Sequence, residues 1–156
     1  YVSVFGGFGY TDSTIDKYQG RPYTKDNKVP YAPEYTGNLG AQFDYPITNA
    51  LRLLVRLDAN FVGETWFHPV QDERLPNLFT YFGFGQGDFS KQKRDSYQIL
   101  NARIGLAGDN WSVTGWGRNI SDEDYLQEII PAPEFGGSFI HASPGAAWGV
   151  ELTYNF

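Results

Sequence analysis

The chain has 156 residues, a length that suits one domain, and its formal net charge of −6 at pH 7 argues against a nucleic-acid-binding face of clustered Lys and Arg. It contains no Cys, which excludes disulfide frameworks and thiolate metal sites. No apolar run approaches the roughly 20 residues of a membrane-spanning helix, whereas the mean hydropathy of −0.42 is compatible with barrel strands, whose alternation averages out.

Strands are predicted wherever apolar residues take every second place. In chain order, they span about 1–11, 34–45, 51–66, 96–107, 111–120 and 143–156. Pro46 is expected to end the second strand. Gly108, Asp109 and Asn110 are expected to form a tight turn, because these residue types tolerate positive φ.

The third and last strands carry apolar residues on one side and mainly polar ones on the other, with Leu54 and Val62 as exceptions. The last strand has aromatics at both ends and aliphatics between them, which is typical of a membrane-facing strand with interfacial girdles rather than of a soluble sandwich. The residues expected to face the membrane are Leu53, Val55, Leu57, Trp148, Val150, Leu152, Tyr154 and Phe156.

Long connections (12–30, 67–95 and 121–142) alternate with short ones (46–50 and 108–110). This alternation is typical of an outer-membrane meander, with short turns on the periplasmic side and long loops outside. The predicted fold is therefore all-β: an antiparallel meander of six strands of a transmembrane β-barrel. Two rival hypotheses remain, a passive porin-like or structural barrel and a soluble sugar-binding β domain.

A family resemblance covers nearly the whole chain. The segments that carry it are, in order, GFGYTDSTIDKY, VPYAPEYTGNLGAQFDYP, LRLLVRLDANFVG, YQILNARIGL, WSVTGWGRNISDEDY and WGVELTYNF. Together they resemble the C-terminal third of the barrel of a TonB-dependent outer-membrane receptor. The resemblance implies that residues 1–156 are one segment of a plugged barrel of about 22 strands, with the plug domain and the earlier strands absent from this sequence.

The same resemblance implies a receptor and transporter in the outer membrane of a Gram-negative bacterium. Its task would be energy-coupled uptake of a scarce nutrient of the siderophore-iron, cobalamin or glycan class, without chemistry on the substrate and without a cofactor. The implied partners are outer-membrane lipid, the remaining barrel strands, the TonB coupling complex through the missing plug, and the barrel assembly machinery through the C-terminal Phe156. No nucleic acid is among them.

Candidate ligand-binding residues lie on the lumen face or in the long loops. They are Arg52, Arg56, Asp58, Glu64, Trp66, Phe79, Tyr81, Phe82 and Arg103. The charged members suit charge-assisted hydrogen bonds, and the aromatics, with Phe67 and Phe84, suit stacking on planar ligands. The alternatives are cross-strand ion pairs for the charged members, an interfacial girdle for Trp66 and Phe67, and loop packing for the other aromatics.

No catalytic or metal site is predicted. The sequence shows no Ser-His-Asp spacing and no paired carboxylates in a pocket context, and no strand-to-helix context follows the glycine-rich run at 83–87. We interpret His68 and His141 as structural or surface residues. The acidic run of Asp122, Glu123 and Asp124 is interpreted as a solvated turn rather than a calcium site, because its carboxylates do not converge without a defined loop.

Overall fold

A computed structural model of the chain describes residues 1–71, 74–75, 78–83, 85–132 and 137–156. In chain order the strands are β1 (Val2–Tyr10), β2 (Tyr35–Thr48), β3 (Leu51–Val62), β4 (Thr65–Trp66), β5 (Arg74–Leu75), β6 (Gly87–Asp88), β7 (Lys93–Arg94), β8 (Tyr97–Ala107), β9 (Trp111–Arg118), β10 (Leu126–Ala132), β11 (Gly137–Ala142) and β12 (Ala147–Tyr154). Two short 3₁₀ helices span Pro22–Thr24 and Leu78–Phe82. No helix of the described residues is long and apolar enough to cross a membrane.

Six of the strands form one antiparallel sheet in the order β1-β2-β3-β8-β9-β12. Each strand therefore pairs with the next long strand along the chain, and the predicted all-β meander is confirmed. The strands are joined by two short turns, 49–50 and 108–110, and by three long connections. We call these the first (11–34), second (63–96) and third (119–146) long connections.

The register keeps apolar side chains on one face of all six strands. Leu57 of β3 lies opposite Ala41 of β2 and Ala102 of β8. Val113 of β9 lies opposite Leu106 and Leu152. We call this side the apolar face and the other the polar face. The apolar face includes the seven residues of β3 and β12 expected to face the membrane; contact with lipid stays a prediction.

Pro46 does not end β2, so that prediction was wrong. The strand continues to Thr48, with Pro46 opposite Arg52 and a register shift between Pro46 and Thr48. Proline lacks the N–H that a ladder hydrogen bond needs, and it is tolerated where a bulge interrupts the pairing.

The predicted strand 51–66 is divided in two. β3 ends at Val62, and β4 pairs with β7 outside the main sheet. The N–H of Gly63 donates to the carbonyl of Tyr35 at 2.8 Å, and a Cβ at Gly63 would lie 2.8 Å from the Tyr35 ring. The chain leaves the sheet at this close approach.

The third long connection contains the hairpin β10–β11, which the sequence analysis interprets as loop. Pro131 and the glycines at 136–137 suggested irregular structure, since proline removes a ladder donor. Here Pro131 lies inside β10, opposite Ser138. The tertiary pairing of two short segments outweighed these local breakers.

The buried apolar side chains of the described residues lie outside the main sheet. They are Phe67, Val70, Phe89, Ile129 and Ala132. Both faces of the sheet are open, so the packed core belongs to the long connections, which fold together at one end of the strands.

Replacing Leu57 by Arg tests whether the apolar face contacts lipid. Leu57 lies mid-strand and is 54% exposed. We expect Leu57→Arg to destabilise the protein by about 2–4 kcal/mol in a bilayer, the cost of a cation at the midplane of a barrel wall. Urea unfolding of the protein in lipid vesicles, followed by tryptophan fluorescence, measures this change.

The matched control is Asn60→Arg on the polar face of the same strand. It introduces the same side chain, but into the wet side of the sheet, where we expect a change within about 0.5 kcal/mol. Equal losses for the two variants contradict a lipid-facing role for this side.

Candidate functional site

A concavity of about 450 Å³ lies on the polar face of β3, β8 and β9. Its lining comprises Arg56, Asp58, Asn101, Ala102, Arg103, Trp116, Gly117 and Arg118. The sheet register assembles it, because Arg56 lies opposite Arg103, which in turn lies opposite Trp116. Three guanidinium groups and a single carboxylate thus line one wall.

Arg56 is the one lining arginine that this carboxylate neutralises. Its Nε donates to Asp58 Oδ2 at 2.9 Å and its Nη2 to Oδ1 at 2.8 Å. The guanidinium also lies 4.8 Å from the centre of the Phe5 ring. Phe5 in turn covers Gly40, where any Cβ would overlap the ring. Arg56 is therefore held between a carboxylate and an aromatic face.

Arg103 and Arg118 have no carboxylate within 4.0 Å in the described part of the chain. Arg118 lies 5.3 Å from the Trp116 ring centre, a cation–π contact. Trp116 rests on Gly149 of β12, which leaves no room for a Cβ there. The concavity therefore presents two exposed guanidinium groups beside one half-buried indole.

Arg52 lies elsewhere, near the short turn 49–50. It forms an ion pair with Asp44, in which Nε donates to Oδ1 at 3.1 Å and Nη2 to Oδ2. This is a cross-strand pair of the kind proposed as the alternative to ligand binding. Of the predicted lumen charges, the structure therefore brings together Arg56, Asp58 and Arg103 but not Arg52.

The predicted loop residues form no single group. Glu64 accepts a hydrogen bond from Lys93 Nζ at 2.7 Å, and that ammonium lies 5.5 Å from the Trp66 ring centre. Tyr81 and Phe82 are largely exposed on the helix Leu78–Phe82. The Phe79 side chain and Phe84 fall outside the described part of the structure. A binding role for these residues stays a prediction.

Phe67 and His68 belong to the core of the long connections. Phe67 packs edge-on against Tyr31 with ring centres 5.4 Å apart, so the girdle interpretation of Phe67 was wrong. The His68 ring stacks on Phe89 at 4.8 Å, and its Nε2 lies 3.2 Å from Arg21 Nη1. No group of three His, Asp or Glu side chains that could hold a metal occurs among the described residues.

Gln71 connects the second long connection to the first by two hydrogen bonds. Its Nε2 donates to the Lys28 carbonyl at 2.7 Å, and its Oε1 accepts from the Lys28 N–H at 3.0 Å. Lys28 Nζ in turn binds Glu34 and Asp12 at 2.8 and 2.9 Å. Hydrogen bonds to Glu34 and then Asp12 raise the pKa of Lys28, so this ammonium stays charged throughout the physiological range.

A second group of hydrogen bonds connects the end of β9 to the start of β12. The side chain of Asn119 is buried and bonds the backbone of Glu123 in both directions, at 2.9 and 3.0 Å. Its own N–H donates to Asn101 Oδ1 at 3.1 Å. Asp122 Oδ1 accepts from the Ala146 N–H at 2.8 Å, which supports the turn interpretation of the acidic run.

The residues of these sites that were not singled out from the sequence include Trp116, Arg118 and Asn119. Alternate residues of a strand share a face, and the tight turn 108–110 sets the pairing of the two strands that it joins. Together these rules place Trp116 and Arg118 on the same face as Arg103. That signal was present but not used. Asn119 has a φ of 49°, a conformation that Asn tolerates better than most residues, and an Asn two residues before the pair Ser121-Asp122 is its sequence signal.

Asn119→Asp tests the hydrogen bonds between Asn119 and Glu123 at the end of β9. The substitution keeps an oxygen for the Glu123 N–H but removes the Nδ2 donor to the Glu123 carbonyl. We expect the free energy of unfolding to fall by about 1–3 kcal/mol, the cost of an unsatisfied buried acceptor. Asn110→Asp, at an exposed turn, is the control and should change it far less. An unchanged unfolding midpoint for Asn119→Asp contradicts the assignment.

Gly149→Ala tests the contact beneath Trp116. An added Cβ would overlap the indole, so we expect the ring to shift and the protein to lose about 1–3 kcal/mol. Gly115→Ala on the neighbouring strand is the matched control, because its Cβ would meet only ordinary contacts at 3.9 Å and beyond. Thermal unfolding in detergent compares the two; equal midpoints rule out a close Gly149–Trp116 contact.

Residues 1–120 match the family model described as "TonB dependent receptor-like, beta-barrel". The structure is also similar to the crystal structure of the ferric yersiniabactin uptake receptor FyuA from Yersinia pestis, with a TM-score of 0.66 and 17% sequence identity. That match covers 85% of this chain and 18% of the receptor, and at this identity it shows a shared fold. Since the family match extends over more than half of the chain, the chain belongs to the TonB-dependent receptor-like β-barrel family.

Proposed function

We propose that residues 1–156 form part of the wall of an outer-membrane receptor for energy-coupled uptake of a scarce nutrient. The single observation that carries this proposal is the register that holds one apolar face across six strands. Family membership supports a role in a receptor barrel. FyuA is described as an uptake receptor. We infer the same general task here, with siderophore-iron, cobalamin and glycan compounds as the nutrient classes.

The apolar face has aromatic residues at both ends. Those nearer the short turns are Phe43, Tyr45, Trp111 and Tyr154, and those nearer the long connections are Phe8, Tyr10, Tyr35, Phe61 and Trp148. Aromatic girdles flank the apolar band of outer-membrane barrels. The Tyr154 hydroxyl accepts a hydrogen bond from Asn110 at 3.0 Å, which suits the polar edge of such a girdle.

The distance between these girdles suits a bilayer. Ten residue steps separate Tyr35 from Tyr45 on β2, which correspond to about 33 Å along a strand. A strand tilt of about 40° reduces this rise to about 25 Å, the height of the apolar band in known barrels. On β12, the six steps from Trp148 to Tyr154 give a shorter span of about 15 Å by the same conversion.

The edge strands β1 and β12 each have one unpaired side in the sheet. In lipid no water satisfies exposed amides, so a spanning sheet must be closed. We propose that further strands of a large barrel pair with both edges, and that a plug inside this barrel couples to TonB. Recognition of Phe156 by the barrel assembly machinery is part of the same proposal.

Energy dependence of uptake tests this function. Cells that express the protein at its natural length are supplied with labelled ferric siderophores, cobalamin and oligosaccharides in turn. We expect accumulation of one class, and we expect an uncoupler of the inner-membrane potential or loss of TonB to abolish it. A cell lacking the protein is the control for background uptake.

Two outcomes contradict the proposal. Accumulation that is insensitive to the uncoupler and to loss of TonB indicates a passive porin-like barrel. A natural-length protein that stays in solution without detergent indicates a soluble β domain and removes the membrane assignment.

A further inference from the structure

Two arginines face each other across neighbouring strands of the polar face, and the carboxylates of the described residues neutralise only one of them. Arg56 and Arg103 are directly opposite on β3 and β8, and like charges in this relation destabilise a sheet. Asp58 takes up the charge of Arg56 through its two-point hydrogen bonding. Arg103 gains no carboxylate from the described residues. The lining of the concavity therefore carries three positive charges and one negative charge.

The two uncompensated arginines are both register neighbours of Trp116 on the polar face. Arg103 is the cross-strand partner of Trp116, and Arg118 is two residues further along β9 on the same face. Diagonal neighbours of this kind have Cα atoms about 7–8 Å apart. The Arg118 guanidinium already lies over the Trp116 ring. A ligand that contacts both cations therefore lies next to an apolar aromatic surface.

We propose that this concavity binds a small solute with two carboxylates joined by a short carbon chain. The planar fork of each guanidinium matches a carboxylate with two parallel hydrogen bonds. The carbon chain would cover the indole, a position in which a compact phosphate would lose hydration without gaining partners. A volume of about 450 Å³ falls in the range of small-molecule sites, roughly 300–1,000 Å³.

Asp58 limits the charge that the site accepts. It is the only carboxylate in the lining and occupies the end next to Arg56 and Asn101. A third carboxylate on the solute would approach this negative charge, so a dicarboxylate fits better than a tricarboxylate. Glu151 also lies on the polar face, but it is opposite Thr114 and outside the lining.

The inference rests on the proposed function, because it requires the concavity to face a part of the lumen that the plug leaves open to water. It adds a ligand class and names Arg103 and Arg118 as the residues that contact it. Its test is a binding measurement on purified protein and needs no energy coupling. Binding without energy-coupled uptake overturns the proposed function alone, whereas uptake without binding overturns this inference alone.

Isothermal titration calorimetry of the natural-length protein in detergent at low salt provides the test, with succinate as the probe. We expect succinate to bind, with an affinity that weakens as salt is added. Its neutral diamide and inorganic phosphate should bind at least tenfold more weakly. The double variant Arg103→Gln/Arg118→Gln should lower succinate affinity at least tenfold, because each charge-assisted pair is lost.

Two further variants sharpen the result. Asp58→Asn removes the one carboxylate of the lining, and we expect succinate to bind several-fold more tightly. Lys17→Gln removes a positive charge from an exposed position of the first long connection and should leave succinate binding unchanged. Thermal unfolding of each variant in detergent checks that it is folded.

Three results overturn the inference. They are phosphate binding as tight as succinate, succinate binding equal in the double variant and the parent, and no succinate binding by the parent. In the third case, a lower unfolding midpoint for Arg103→Gln/Arg118→Gln would assign these arginines to an acidic side chain elsewhere in the receptor.

Discussion

The structure depends on the cross-strand register of its main sheet. A strand that slips by one residue moves every side chain to the opposite face. Here such a slip of β3 would place Arg56 on the apolar face and Leu57 among the arginines. In a bilayer, every amide must also find a partner within the sheet, because lipid supplies none. Pairing and alternation must therefore hold in the same register across all six strands.

Glycine and aromatic residues help to fix that register, which gives the unusual composition a physical reason. Trp148 covers Gly117 on the apolar face, and Trp116 covers Gly149 on the polar face, so β9 and β12 exchange two ring-over-glycine contacts. Phe5 covers Gly40 in the same way between β1 and β2. An aromatic ring that fills the space above a cross-strand glycine fits in one register and collides with a Cβ in the next. Part of the high Gly and aromatic content, 18 Gly and 17% aromatic residues, thus serves the packing between neighbouring strands.

The sheet was predictable from the sequence because its signal is local. A period of two identifies the strands and their faces without knowledge of any partner, including the exceptions Leu54 and Val62. The long connections were not predictable, because contacts between distant residues organise them. Gln71 binds the backbone of Lys28, 43 residues earlier in the chain. β10 forms despite Pro131 because β11 pairs with it. The concavity was predictable only in part. The alternation of residues assigns its side chains to one face, but only the strand register brings Arg103 beside Trp116.

The polar face divides its arginines into compensated and uncompensated ones. Near the short turn, Asp44 forms an ion pair with Arg52, and at mid-sheet Asp58 forms one with Arg56. An acidic residue at position 116, directly opposite Arg103, would neutralise it by a cross-strand pair like that of Arg52 and Asp44, yet the chain has Trp there. An indole offers no charge to a guanidinium, but it leaves both ions accessible and adds an apolar surface beside them. An acidic residue at position 116 would stabilise the sheet more, because it would form an ion pair with Arg103. If a solute binds here as we propose, the tryptophan keeps positive charge available to it, which connects the sheet register to the proposed uptake function.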